Sequence, residues 1–187
     1  MTKTIFLTLL IAGILTVGSL ATNEANAAVD MFLKIDDIKG ESTDAAHEGE
    51  IEILSYKWGE TSGKPHAGGG GGAGKVSLQD MTITMAYEKS SPKLMQATNS
   101  GKSFEEVILT VRKAGGDAAR EPFLTIKMTD IVISSYQTGG SAADDTVPID
   151  TVALNFAKID FEYQQQDEEG RAIGEPVSGS ASKHGRR

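Results

Sequence analysis

Four times along this chain an alternating apolar pattern changes parity partway through, and that repetition narrows the available folds more than any other feature. Ile51 and Ile53 share one face, but Leu54, Tyr56 and Trp58 take the opposite parity. Val76 and Leu78 give way in the same manner to Met81, Ile83, Met85 and Tyr87. Leu124, Ile126 and Met128 give way to Ile131 and Ile133, and Val152, Leu154 and Phe156 to Ile159, Phe161 and Tyr163. Side chains alternate along a strand with period two, so each slip demands an extra residue or a change of buried face. Strands that bend, bulge or pass from one sheet to another around a small barrel satisfy all four. Pairs of abutting short strands, or strands buried on both faces, are the alternative.

The rest of the pattern is also mostly strand. Val29–Ile35 alternates, with Met31, Leu33 and Ile35 on one face, and Asp36-Asp37 and Lys39-Gly40 end it. Phe104–Val111 reads as a strand with Val107, Leu109 and Val111 inward, and Gly115-Gly116-Asp117 as the hairpin turn after it. One helix is expected. Ser91 caps it, Pro92 takes its first position, Leu94, Met95 and Thr98 supply a face, and Gly101 stops it. About ten residues are marginal as an isolated helix, so it must dock against the sheet. The stretch Thr61 to Lys75 is dominated by glycine and has no apolar pattern. It joins two strongly apolar segments, so it is an insertion within one domain. Gly179 to Arg187 is read as loose in the same way, making 177–187 a flexible tail.

The first 27 residues decide where the protein works. Lys3 precedes the apolar run Ile5 to Val17, and Ala25-Asn26-Ala27 stands before Ala28. A cation, about 13 apolar residues and a small-x-small site describe a secretory signal peptide cleaved between Ala27 and Ala28. The run falls short of the roughly 20 residues that span a bilayer, so no stable membrane anchor is expected. Roughly 160 residues remain, the size of one domain. Lys3 and Glu24 leave together, so the net charge stays at −8. That sign argues against nucleic acid or an anionic membrane as partner. The basic run Lys183-His184-Gly185-Arg186-Arg187 is the local exception. With no cysteine, stability must come from the core or from oligomerisation, and thiolate zinc sites and cysteine nucleophiles are excluded.

No motif carries chemistry. The glycines Gly68 to Gly72 are followed at Gly74-Lys75 by Val76 and a strand, where a phosphate loop needs a helix. His47, His66 and His184 lie in loops without ligand spacing. Asp36, Asp37, Glu41, Asp44 and Glu48 lack the spacing of a Ca²⁺ loop and read as a solvated loop, and Asp144-Asp145 as a turn. There is no G-x-S-x-G elbow. Trp58, Tyr87, Phe156, Phe161 and Tyr163 sit on strand faces. A non-enzymatic β domain without cofactor or metal is expected, and a secreted hydrolase would need a nucleophile or metal constellation that is missing.

The ordered set of segments resembles a known family. MFLKI from Met31, the run Gly40 to Asp44, His47, the E-I-x-x-L-S-x-x-W-G run ending at Gly59, Ser91 to Met95 with Gly101, Phe123 to Ser135, and Pro148 to Tyr163 with Phe156 to Ile159 match, in order, the haemolysin-coregulated protein (Hcp) family. Gly170 falls at its terminal hairpin. The resemblance runs over 28–176. It implies a compact two-sheet β-barrel with one lateral helix, and a homohexameric ring that stacks into the tube of a type VI secretion system in a Gram-negative bacterium. Sheath and spike proteins and small effectors are the implied partners. The loop carrying Gly63, Pro65, Gly68 and Gly72 matches the family's extended loop, which implies a role in ring stacking. Ordinary members lack a leader. Its presence here keeps open an exported paralogue, a periplasmic or extracellular ring that binds small proteins or glycans.

Overall fold

The computed structural model describes residues 29–62, 76–114, 121–142, 147–167 and 169–183. In chain order they form β1 (Val29–Ile35), β2 (Ile51–Glu52), β3 (Ser55–Lys57), β4 (Glu60–Ser62), β5 (Val76–Leu78), β6 (Met81–Ala86), α1 (Ser91–Ser100), β7 (Ser103–Lys113), β8 (Leu124–Gly139), β9 (Ile149–Asn155), β10 (Lys158–Tyr163) and β11 (Val177–Ser182). Nine strands make one antiparallel sheet in the order β2-β1-β7-β8-β9-β6-β3, with β10 on β8 and β11 on β10; β4 and β5 form a separate hairpin.

Each parity slip marks a change of partner. β8 is a single 16-residue strand. Leu124–Thr129 pairs with β10 and Val132–Gly139 with β9, while β7 runs beside both halves. Asp130 takes a left-handed φ of 53° at the changeover, so Ile126 and Met128 before it and Ile131 and Ile133 after it all face the core. A second irregularity lies between Ile133 and Ser135. The other three slips divide separate strands, so abutting strands describe them better than continuous bent ones: β2 from β3, β5 from β6 and β9 from β10.

The slip at Ile53-Leu54 brings the ends of the sheet together. The Ile53 N–H donates to the Met31 carbonyl of β1 at 3.0 Å, and the next N–H, of Leu54, to the Thr84 carbonyl of β6 at 2.7 Å. Successive amides of an extended chain point to opposite sides, so two residues bridge the two limits of the strand path. The core inside includes Leu33, Ile51, Met81, Ile83, Met85, Leu109, Ile126, Met128, Leu154 and Phe156, all fully buried. This is the mainly β, barrel-like architecture with one lateral helix that the pattern implies.

The helix differs in detail from expectation. Ser90, not Ser91, occupies the N-cap position, and its hydroxyl donates to the Glu88 carboxylate and caps nothing. Ser91 accepts the Glu88 N–H at 3.0 Å and is buried. The inward face is Ser91, Leu94 and Ala97, leaving Met95 exposed, because the helix rests on β8 along that stripe. Gly101 does end it, with φ 62°, and the Lys102 N–H returns to the Ala97 carbonyl at 3.1 Å. The expected loose tail is corrected over its first part: Val177–Ser182 is a strand paired residue for residue with β10, with Gly179, Ser180 and Ala181 opposite Phe161, Asp160 and Ile159. A run of small polar residues carries no alternating signal, so sequence periodicity missed it. The turn at Gly115-Gly116-Asp117 and the pair Asp144-Asp145 lie outside the described residues.

Candidate functional site

Three polar clusters brace the barrel. The largest gathers around Arg112 on β7, whose side chain is 5% exposed. Its Nη2 donates to Asp44 and lies 3.6 Å from Asp30, and the guanidinium stands 5.0 Å from the centre of the Phe32 ring. The Phe32 ring also carries the His47 imidazole, stacked at 4.3 Å and 7°, and His47 Nδ1 meets Glu50 at 2.9 Å. The hydrogen bond from Arg112 holds the Asp44 carboxyl below its usual range. Asp44 and His47 were expected in a solvated loop. Instead the loop 36–50 folds over the outer face of β1 and buries Phe32, whose parity points away from the core. Gly40 makes this possible, because a Cβ there would lie 2.2 Å from the Glu50 carbonyl oxygen.

The second cluster centres on Asp80, in the turn before β6. Ser134, Asn155 and Lys183 all donate to its carboxylate, at 2.7, 2.7 and 3.1 Å. Burial opposes ionisation of Asp80, but bonds from Ser134 and Lys183 outweigh it and keep the carboxyl below its usual range. Lys183 also stands 5.0 Å above the Phe156 ring, so the residue after β11 is pinned to the barrel. The third cluster is internal. Asp150 on β9 is fully buried, and its Oδ2 accepts the Tyr136 hydroxyl at 3.0 Å while Oδ1 has no partner. Burial, with the Asp150 carboxylate beside it, pushes the Tyr136 phenol up to about 12.

The described residues hold no group of three His, Asp or Glu placed to bind a metal. Exposed apolar side chains lie on the rims: Val29 and Leu54 at the bridged seam, Tyr87, Val147 and Ile149 past the end of β6, Tyr163 and Val177 near the start of β11. Ala25, Ala27 and Ala28 lie outside the described residues, as do Gly63, Pro65, Gly68 and Gly72. The flanks of that loop are described. β4 and β5 pair in register, Glu60 with Leu78 through Ser62 with Val76, so the residues that flank 63–75 stand side by side.

Apolar rims on a small antiparallel barrel are what a subunit that contacts other chains would carry. The comparisons with known proteins specify which. Residues 32–163 match the family model described as "Type VI secretion system effector, Hcp". The chain is 48% identical over 151 residues to Protein hcp1 of Pseudomonas aeruginosa, covering 80% of this chain and 92% of that one. Among solved structures it is similar to a type six secretion system protein (TM-score 0.73, 30% identity, 82% and 93% covered). It is also similar to Hcp1 from Salmonella typhimurium (TM-score 0.66, 29% identity, 83% and 95% covered). The chain belongs to the Hcp family and is a type VI secretion tube protein.

Proposed function

We propose that this chain forms a homohexameric ring, that the rings stack head to tail into the secretion tube, and that small effector proteins travel in the lumen. Sheath and spike proteins are the partners outside and at the tip. The observation that carries the reading is the family match, which spans the barrel from the outer face of β1 to the end of β10. A ring also suits a cysteine-free barrel with apolar rims, since neighbouring copies cover what a monomer leaves in water. Native mass measurement with electron microscopy tests it: ring-sized particles that form short stacks are expected, and a monomer at every concentration overturns it.

The sequence of residues 1–27 favours a second reading, an exported ring that binds small proteins or glycans outside the cytoplasm. The mass of the protein recovered from periplasm and medium separates the two. An Ala28 terminus on a ring-sized species supports the exported ring. A leader-bearing or leaderless protein that stays in the cytoplasm, and appears outside only with an active injection system, supports the tube.

A further inference from the structure

The tertiary structure gathers three carboxylates on one rim. Glu41 from the loop, Glu52 on β2 and Glu88 beyond β6 line an open groove of about 450 Å³, together with Tyr87 and Val147, which are 46% and 61% exposed. The groove is built on fixed backbone. Glu88 accepts the Glu41 N–H at 2.7 Å, Glu41 accepts the Lys89 N–H at 3.0 Å, and the Tyr87 N–H is held by the Pro148 carbonyl at 2.8 Å. Among the described residues no ion pair neutralises Glu41, Glu52 or Glu88. Burial, with Glu41 adding to it, holds the Glu88 carboxyl above its usual range despite Lys89 nearby. The site therefore offers carboxylates that no ion pair engages among the described residues, with apolar surface beside them.

The strongest cationic run of the sequence lies at the other end of the same strand. Lys183 is fixed on Asp80, immediately before β6, and His184-Gly185-Arg186-Arg187 follow it. Asp80 and Tyr87 are seven residues apart along a strand, roughly 23 Å, whereas the backbone of four residues extends at most about 14 Å. By that reach the basic segment of one copy falls short of its own groove, since its anchor at Lys183 and the groove stand at opposite ends of β6. We infer that residues 184–187 of one copy dock in the groove formed by Glu41, Glu52, Glu88, Tyr87 and Val147 of a second copy. Such a contact is head to tail and repeats without a two-fold axis. It rests on the ring-and-stack reading and supplies that stack with a salt-sensitive tie.

The absence of cysteine allows a direct test. Full chains carrying Gly185→Cys and Thr43→Cys, the latter on the groove wall, are mixed and oxidised, and native mass is recorded in parallel. The mixed disulfide is expected to form at least tenfold faster than between Gly185→Cys and Met95→Cys, on the exposed face of the helix. It should fall several-fold in 0.5 M salt, with Glu52→Gln/Glu88→Gln on the groove side, and with Arg186→Gln/Arg187→Gln on the segment side, which leaves the barrel untouched. Equal rates for the two cysteine pairs, insensitivity to both charge-removing variants, or an intramolecular disulfide in the double-cysteine chain overturns the inference. Ring-sized particles without the disulfide would overturn this contact alone. The disulfide without ring-sized particles would uphold it and overturn the ring.

Discussion

Tyr136→Phe removes a single oxygen, yet it strips Asp150 of the one side-chain hydrogen-bond donor it has among the described residues. The carboxylate is fully buried on β9, between β6 and β8, and its Oδ1 is already without a partner. Deleting a neutral surface hydroxyl would cost a few tenths of a kcal/mol, but an ionised acceptor left alone in the core forfeits a charge-assisted bond, about 1.5–3 kcal/mol, with more added if no water reaches it. A loss of about 3 kcal/mol is expected, which for a domain of this size lowers the melting temperature by roughly 6–12 °C. Urea titration at one fixed protein concentration measures it, since oligomerisation shifts apparent stability. Adding Asp150→Asn to the Tyr136→Phe chain should restore at least half the loss, because an amide carries no charge to strand. The phenol supplies a second signature. Its folded pKa is raised from 10.0 to about 12, so the stability it contributes is complete below pH 10 and is lost as pH rises from there towards 12. The Phe variant should lack that alkaline loss. A destabilisation under 0.5 kcal/mol, or a double variant no better than the single, would refute the argument that Tyr136 serves the buried charge.

Three further outcomes are expected. Gly40→Ala places a methyl against the Glu50 carbonyl and the Ile51 Cα, which are backbone and cannot swing aside; a loss of about 2–3 kcal/mol in chemical denaturation is expected, with faster hydrogen exchange across 40–50. Asp80 has a lowered pKa, so its contribution is present above 3.8 and disappears as pH falls through the folded value; Asp80→Asn should cost about 1 kcal/mol at neutral pH and flatten the acid limb of the stability profile near there. Phe156→Ala empties a fully buried position beneath Lys183 and should cost about 3–5 kcal/mol, while a value under 1 kcal/mol would mean that the core does not close around that ring.

Much of the architecture was legible because burial writes itself into periodicity. Met81, Ile83 and Met85, or Val107, Leu109 and Val111, show on paper the face they bury. The four parity slips located the places where strands change partners, although they could not tell one kinked strand from two abutting ones. That choice depends on whether the backbone stays paired through the change. Asp130 keeps β8 continuous by turning left-handed, whereas Ile53-Leu54 divides its two amides between β1 and β6. The resemblance of ordered segments was equally readable, and the family match bears it out.

The polar clusters were not legible. Arg112 lies near the end of β7, after its apolar stretch, and Asp44 stands 68 residues away in a loop, so neither position hints at the other. Ser134, Asn155 and Lys183 meet Asp80 only because β8, β9 and β11 close around the turn before β6. Phe32 has the parity of an exposed residue and becomes buried because a loop with a glycine at position 40 can fold over it. By itself the sequence determined the alternation, the helix with its stop at Gly101 and the family. The tertiary structure decided which ends of the strand path meet, which charges find partners, and that three carboxylates stand together with no ion pair among the described residues. The division has a physical cause. Burial of a side chain is a local periodic property of a strand, while pairing, closure and charge compensation depend on residues that only the folded chain brings within a few ångströms.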